Sequence, residues 1–120
     1  MSINKVILLG NAGRDADFRE FDKGCVAQVA IATTKKGYKN KDGKDIPERT
    51  EWHNVVFFAN SLAKVARDYI KKGDKIYVEG ELRTRKYTDK DGNEKQITEV
   101  IVEKLELLSP KKEQYEDLPE

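Results

Sequence analysis

Apolar positions come in short runs, some alternating and some doubled, set apart by polar clusters rich in Gly, Asn and Asp. Residues 3–9 predict a strand, with Ile3, Ile7 and Leu9 on one parity and Val6 and Leu8 on the other. Successive strand side chains face opposite ways, so apolar residues on both parities predict burial on both faces. Gly10-Asn11-Ala12-Gly13 predicts the end of that strand. Residues 26–34 predict a second strand, rich in small and β-branched residues. A polar connection follows over 35–47, with the hairpin signal Asp42-Gly43 near its centre. Residues 49–59 predict a third strand.

Leu62, Val65, Ala66, Tyr69 and Ile70 then recur at helical spacing as one apolar stripe. Asn60-Ser61 offers an N-cap, and Gly73 a left-handed stop beyond Lys71-Lys72. Residues 75–87 and 97–108 predict the last two strands, joined through a turn carrying Asp91-Gly92. On the final strand Ile97, Ile101 and Leu105 share one parity, and Val100 and Val102 the other. Strand, strand, strand, helix, strand, strand is the order of an OB-fold. The expected fold is therefore all-β: a five-stranded OB-fold Greek-key barrel with one α-helix between strands 3 and 4.

A chain of 120 residues suits one domain. Residues 1–108 are expected to form the barrel, and residues 109–120 a short acidic, flexible tail. A lone barrel needs one apolar face per strand. The surplus on the first and fifth strands predicts that another subunit covers part of the outer surface.

Charge and chemistry narrow the function. Lys and Arg number 23 against 22 acids, so the net charge of +1 does not announce a polyanion partner. Distribution says more: the tail carries −2, which leaves +3 on residues 1–108. Lysines at 35, 36, 39, 41 and 44 crowd the 35–47 connection, although a lysine run alone reads as a solvated loop. Cys25 is the only cysteine and His53 the only histidine. An internal disulfide and a Cys/His zinc site are thereby excluded, and no metal or cofactor is expected. His53 reads better as a structural or interface residue than as a general base. Glycine-rich phosphate loops are absent, and no run is long enough to span a bilayer, so a soluble intracellular protein is expected.

The candidate binding residues lie on two predicted strands. Trp52, Asn54, Val56 and Phe58 share a parity on the third, while His53, Val55 and Phe57 share the other. On the fourth, Tyr77, Arg83, Arg85 and Tyr87 lie opposite the apolar Ile76, Val78 and Leu82. Any one aromatic alone is better explained by a core or an interface. Rings beside guanidinium groups suit unstacked bases and phosphates. Glu79 and Glu81 share that second face and partly neutralise it.

Three segments carry a family resemblance: Asn4-Lys5-Val6-Ile7-Leu8-Leu9-Gly10-Asn11, Thr50-Glu51-Trp52-His53-Asn54-Val55-Val56-Phe57-Phe58, and the run from Lys72-Gly73-Asp74 to Arg85-Lys86-Tyr87. Over about residues 3–108 the chain resembles bacterial single-stranded DNA-binding protein, the homotetrameric OB-fold type. The resemblance implies sequence-independent binding and protection of single-stranded DNA in replication, recombination and repair, without enzymatic activity, in the bacterial cytoplasm and nucleoid. It implies base stacking on Tyr38, Trp52, Phe58 and Tyr87, where positions 38 and 87 are often Trp in the family. It implies phosphate contacts from Lys5, Lys41, Lys72, Arg83, Arg85 and Lys86, with Asn54 at a position commonly basic in the family. His53 and Tyr77 would fall at subunit contacts of a homotetramer, or of a dimer at least. Replication and repair proteins would be recruited through an acidic tip. Here Tyr115-Glu116-Asp117-Leu118-Pro119-Glu120 carries the acids without a terminal aromatic, so either weak or divergent recruitment or a shortened form is expected. An OB module reading RNA or scaffolding other proteins would use a similar surface, whereas a hydrolase or nuclease finds no catalytic set.

Overall fold

The structure is a computed structural model and describes residues 1–109. The predicted tail, from residue 110 on, lies outside the described residues. The elements are β1 (Val6–Ala12), β2 (Asp17–Phe21), β3 (Gly24–Lys35), β4 (Tyr38–Lys39), β5 (Asp45–Ile46), β6 (Arg49–Phe57), α1 (Asn60–Tyr69), β7 (Lys75–Thr88) and β8 (Glu94–Leu107). One six-stranded sheet runs β1-β7-β8-β6-β3-β2, and β1 also pairs β3 at Asn11 and Ala12, which closes the barrel. Pairing is antiparallel except between β6 and β8. This is the expected OB barrel, with the helix between the third and fourth predicted strands.

Inward-facing Val29, Ile31, Val55, Phe57, Ile76, Val78, Val100 and Val102 form the core. Ala63 and Ala66 of α1 and Ile70 at its C-cap pack onto it, whereas Tyr69 of the predicted stripe is exposed and Ala63 lies outside that stripe; the helix rests against β3, β6 and β2. No helix among the described residues is long and apolar enough to cross a membrane.

Four local expectations are corrected. First, β1 starts at Val6 and runs through Gly10 to Ala12 rather than ending at Leu9. A Cβ on Gly10 would lie 2.2 Å from the Ala32 carbonyl oxygen, so this glycine permits the close crossing of β1 over β3. Second, β2 was not expected, because Asp17-Phe18-Arg19-Glu20-Phe21 sends only Phe18 toward the core. Third, Asn60 does not cap α1. The cap position is Ala59, and Asn60 Oδ1 instead accepts from the Cys25 backbone N–H at 3.0 Å, tying the helix start to β3.

The fourth correction concerns β8. Glu79 lies opposite Lys104 but Gly80 lies opposite Val102, so Glu103 bulges out unmatched. The bulge moves Leu105 to the side of Val100 and Val102, where it packs on the core. Simple alternation had placed it with Ile101.

Beyond the barrel the β7–β8 hairpin continues alone. The β1–β7 ladder reaches only the Val6–Gly80 pair, and β6 meets β8 only at Val100 and Ile101. At the root of the hairpin the Asn4 side chain mimics one more rung. Its Nδ2 donates to the Leu82 carbonyl and its Oδ1 accepts from the Leu82 N–H, both at 2.9 Å.

Candidate nucleic-acid interface

Residues directly paired across a sheet present side chains to the same face. Trp52 pairs with Ala32, Asn54 with Ala30, and Val56 with Gln28. Small alanines therefore flank the large ring and leave it uncovered. The same outer face continues to Asp17 and Arg19 on β2 and to Ile101 on β8. On the hairpin it carries Arg83 opposite Glu99, Arg85 opposite Ile97, and Tyr87 opposite Lys95.

Of the predicted stacking residues, Trp52 is 62% exposed, Tyr38 57%, Phe58 50% and Tyr87 39%. Trp52 is nevertheless seated: a Cβ on Gly13 would fall 2.4 Å from ring atom Cζ3, so the ring lies against bare backbone. Trp52 lies on the outer side of β6 and Phe58, just past its end, lines the outer hollow beside Val56, while Val55 and Phe57 are fully buried on the inner side. Tyr38 stands apart on the small β4–β5 hairpin, opposite Ile46. Asn40 Oδ1 builds the tip of that hairpin by accepting from the Asp42 and Lys44 N–H groups, and Gly43 supplies φ +79. Lys41 is exposed at this tip.

Arg85 is the best-anchored cation. Its Nε donates to Glu99 Oε1 at 2.8 Å, and its Cζ lies 5.8 Å from the centroid of the Tyr87 ring. Glu99 is only 4% exposed and is the one buried charged side chain among the described residues. A buried carboxylate is tolerated only when paired, so Glu99 holds the Arg85 guanidinium in one orientation. Arg83 pairs with Glu81.

Two adjoining hollows groove this face. One, of about 210 Å³, is lined by Arg14, Asp17, Gln28, Asn54, Arg85 and Glu99, among others. The other, of about 310 Å³, brings Phe58 and Arg85 together with Arg19, Phe21 and Val56. The remaining predicted cations line neither hollow. Lys86 pairs with Gln96 on the opposite side of the hairpin from Arg85. Lys72 is exposed in the turn before β7, its N–H bonded to Asp15 Oδ1 at 2.9 Å. Arg14, Arg19, Phe21 and Glu99 were not anticipated. Arg19 and Glu99 lie in segments that carry the family resemblance, but neither was read as a site residue.

The predicted subunit-contact residues lie elsewhere. His53 is half-buried on the inner parity, its Nε2 2.8 Å from Thr33 Oγ1. Tyr77 lies opposite Leu9, and its hydroxyl donates to Glu79 Oε2 at 2.6 Å. Lys5 Nζ meets Glu79 Oε1 at 3.0 Å, so Lys5 belongs to this cluster. The Tyr77 hydroxyl, with help from Lys5, holds the Glu79 carboxyl below the usual carboxylate range, and Glu79 in turn raises the Tyr77 phenol. A depressed folded-state value stabilises the fold above the ordinary carboxylate pKa, and that contribution is lost as pH falls through the depressed value. Glu79→Gln is therefore expected to flatten the acid-side loss of stability, as read in thermal melts taken from neutral pH down past about pH 4. An unchanged pH profile would remove Glu79 as its source.

Known proteins are similar along nearly the whole chain. A single-stranded DNA-binding protein of Bacteroides thetaiotaomicron is 52% identical over 112 residues, covering 92% of this chain and 69% of that one. Single-stranded DNA-binding protein 1 of Xylella fastidiosa is 43% identical over 113 residues, covering 93% and 82% respectively. Among solved structures, a Plasmodium falciparum SSB in complex with ssDNA superposes with a TM-score of 0.79 at 30% identity, covering 91% of this chain and 97% of that one. Residues 3–108 match the model of the single-strand binding protein family, and with the barrel and its outward rings in place, the chain belongs to that family.

Proposed function

We propose that the protein binds single-stranded DNA without sequence preference and protects it during replication, recombination and repair, as a binding protein rather than an enzyme. One observation carries this reading. Trp52, Phe58 and Tyr87 stay uncovered on a single outer face that also holds the oriented Arg85 guanidinium. Flat rings stack any base, and cations answer the phosphates, so affinity needs no base-edge code. Tyr38, Trp52, Phe58 and Tyr87 are assigned to stacking. Lys5, Lys41, Lys72, Arg83, Arg85 and Lys86 are assigned to phosphates, with Lys5 and Arg83 released from their carboxylates on binding. The unit assigned to this is residues 1–108, with residues 109–120 as a tail that engages replication and repair proteins. The setting proposed is the bacterial cytoplasm, at the nucleoid.

Self-association to a homotetramer, or to a dimer at least, belongs to the same reading. Along β1 only Asn11 and Ala12 pair with β3, which leaves residues 6–10 with an open ladder edge away from β7. Ile7 and Leu9 are half-exposed beside that edge, next to Tyr77. An open edge with apolar side chains is a template for pairing with a second chain. His53 and Tyr77 are assigned to subunit contacts. A monomeric mass by light scattering at micromolar concentration would refute the assembly.

The central test follows the lone Trp52. Its fluorescence is expected to be quenched by oligo-dT, with tight binding to single-stranded DNA, weaker binding to matching RNA and little to duplex. The logarithm of the affinity should fall with the logarithm of salt by about 0.7 per phosphate neutralised. Duplex DNA binding as tightly as oligo-dT would overturn the reading.

A further inference from the structure

We infer that Phe21 is an additional base platform and that the hollow between it and Phe58 receives one base of the bound strand; this rests on the single-stranded DNA reading above. Phe21 is 62% exposed at the end of β2 and has no part in the core, which β2 reaches through Phe18. Across the ladder it faces Gly24, which adds no side chain to the surface beside it. The strand under it is pinned: the Arg67 guanidinium of α1 lies 4.8 Å from the centroid of the Phe18 ring.

The hollow has the chemistry a nucleobase needs. Its volume of about 310 Å³ suits a flat heterocycle, not merely trapped water. Phe21, Phe58, Val26 and Val56 give it apolar walls, and Arg19 and Arg85 give it cations for the adjoining phosphates. Asp17, Gln28 and Glu99 complete its lining with polar groups. The hollow is continuous with Phe58, so its occupant is the next stretch of the same strand rather than a separate ligand.

Two variants test the assignment. Phe21→Ala should weaken oligo-dT binding by roughly fivefold to 150-fold, the range that one base stack is worth. Its thermal midpoint and oligomeric mass should stay at the wild-type values, because the ring is exposed. In a Trp52→Phe background, Phe21→Trp makes position 21 the sole tryptophan, and its emission should be quenched by oligo-dT. Wild-type affinity in Phe21→Ala, or an unquenched reporter at saturating oligo-dT, would overturn the assignment while Trp52 quenching in the native chain keeps the DNA reading. A smaller oligomer with unchanged DNA affinity would move Phe21 to a subunit contact and overturn it equally. Failure of the native chain itself to bind oligo-dT would strike the DNA reading first.

Discussion

Trp52→Ala combined with Phe58→Ala is expected to weaken oligo-dT binding by about 2–6 kcal/mol, two base stacks at about 1–3 kcal/mol each. Trp52 leaves the outer side of β6 and Phe58 follows just past its end, and neither belongs to the core. The neighbours that hold the barrel, Val55 and Phe57, point the other way and are untouched. Trp52 should account for the better-defined share. Its ring lies against the Gly13 backbone and so has little freedom left to lose when a base arrives. Removing the only tryptophan also removes the optical probe, so the anisotropy of a labelled oligonucleotide is the proper readout. A cycle with each single variant would show whether the two rings act on one continuous stack, because coupled neighbours do not add. A double variant that is folded and binds within about 1 kcal/mol of the native chain would mean that this face is not the stacking platform.

Gly80→Ala is expected to cost about 3 kcal/mol or more of folding stability. A Cβ there would lie 2.0 Å from the Ile101 carbonyl oxygen and 2.8 Å from its carbon. Both are backbone atoms of the paired strand, so no rotamer change relieves the clash. Gly80 sits beside the Glu103 bulge, where β7 and β8 re-register and where the β1 ladder also ends. Opening it would loosen three strands together. Urea denaturation measures the loss. Gly43→Ala makes the contrast, since its φ of +79 strains an alanine but nothing lies within 4 Å of the added carbon. A Gly80→Ala midpoint equal to that of the native chain would show that the ladder there can spread.

How far the chain could be read in advance depended on whether a residue's role was local. The five long strands and α1 were legible because alternation and helical spacing are properties of neighbours in sequence. Trp52 and Phe58 were legible for the same reason, sharing one parity along the predicted strand, although β6 itself ends at Phe57. Gly10 misled because its lack of a side chain serves a contact with Ala32, far along the chain. Leu105 misled because one unmatched residue, Glu103, reverses every later side chain. Asn60 had the chemistry of a cap and spent its oxygen on Cys25. In the groove, Arg19 and Phe21 stayed hidden since β2 buries too little apolar surface to announce itself. Glu99 reads as an ordinary acid until Arg85 is brought across from β7. Lys5 and Lys72 came from family likeness, and both lie outside the two hollows.

The lone hairpin has a mechanical meaning. Tyr87 and Arg85 ride on a two-stranded lever fixed at its root, where Asn4 clasps Leu82, while Trp52 is bedded in the body of the barrel. Beyond the ends of the β1 and β6 ladders no third strand braces the arm, so bending of the hairpin would change the gap between those two rings. A polymer laid across both would brace arm against body, and the load would pass to the root, where the β1 and β6 ladders end and Asn4 holds Leu82.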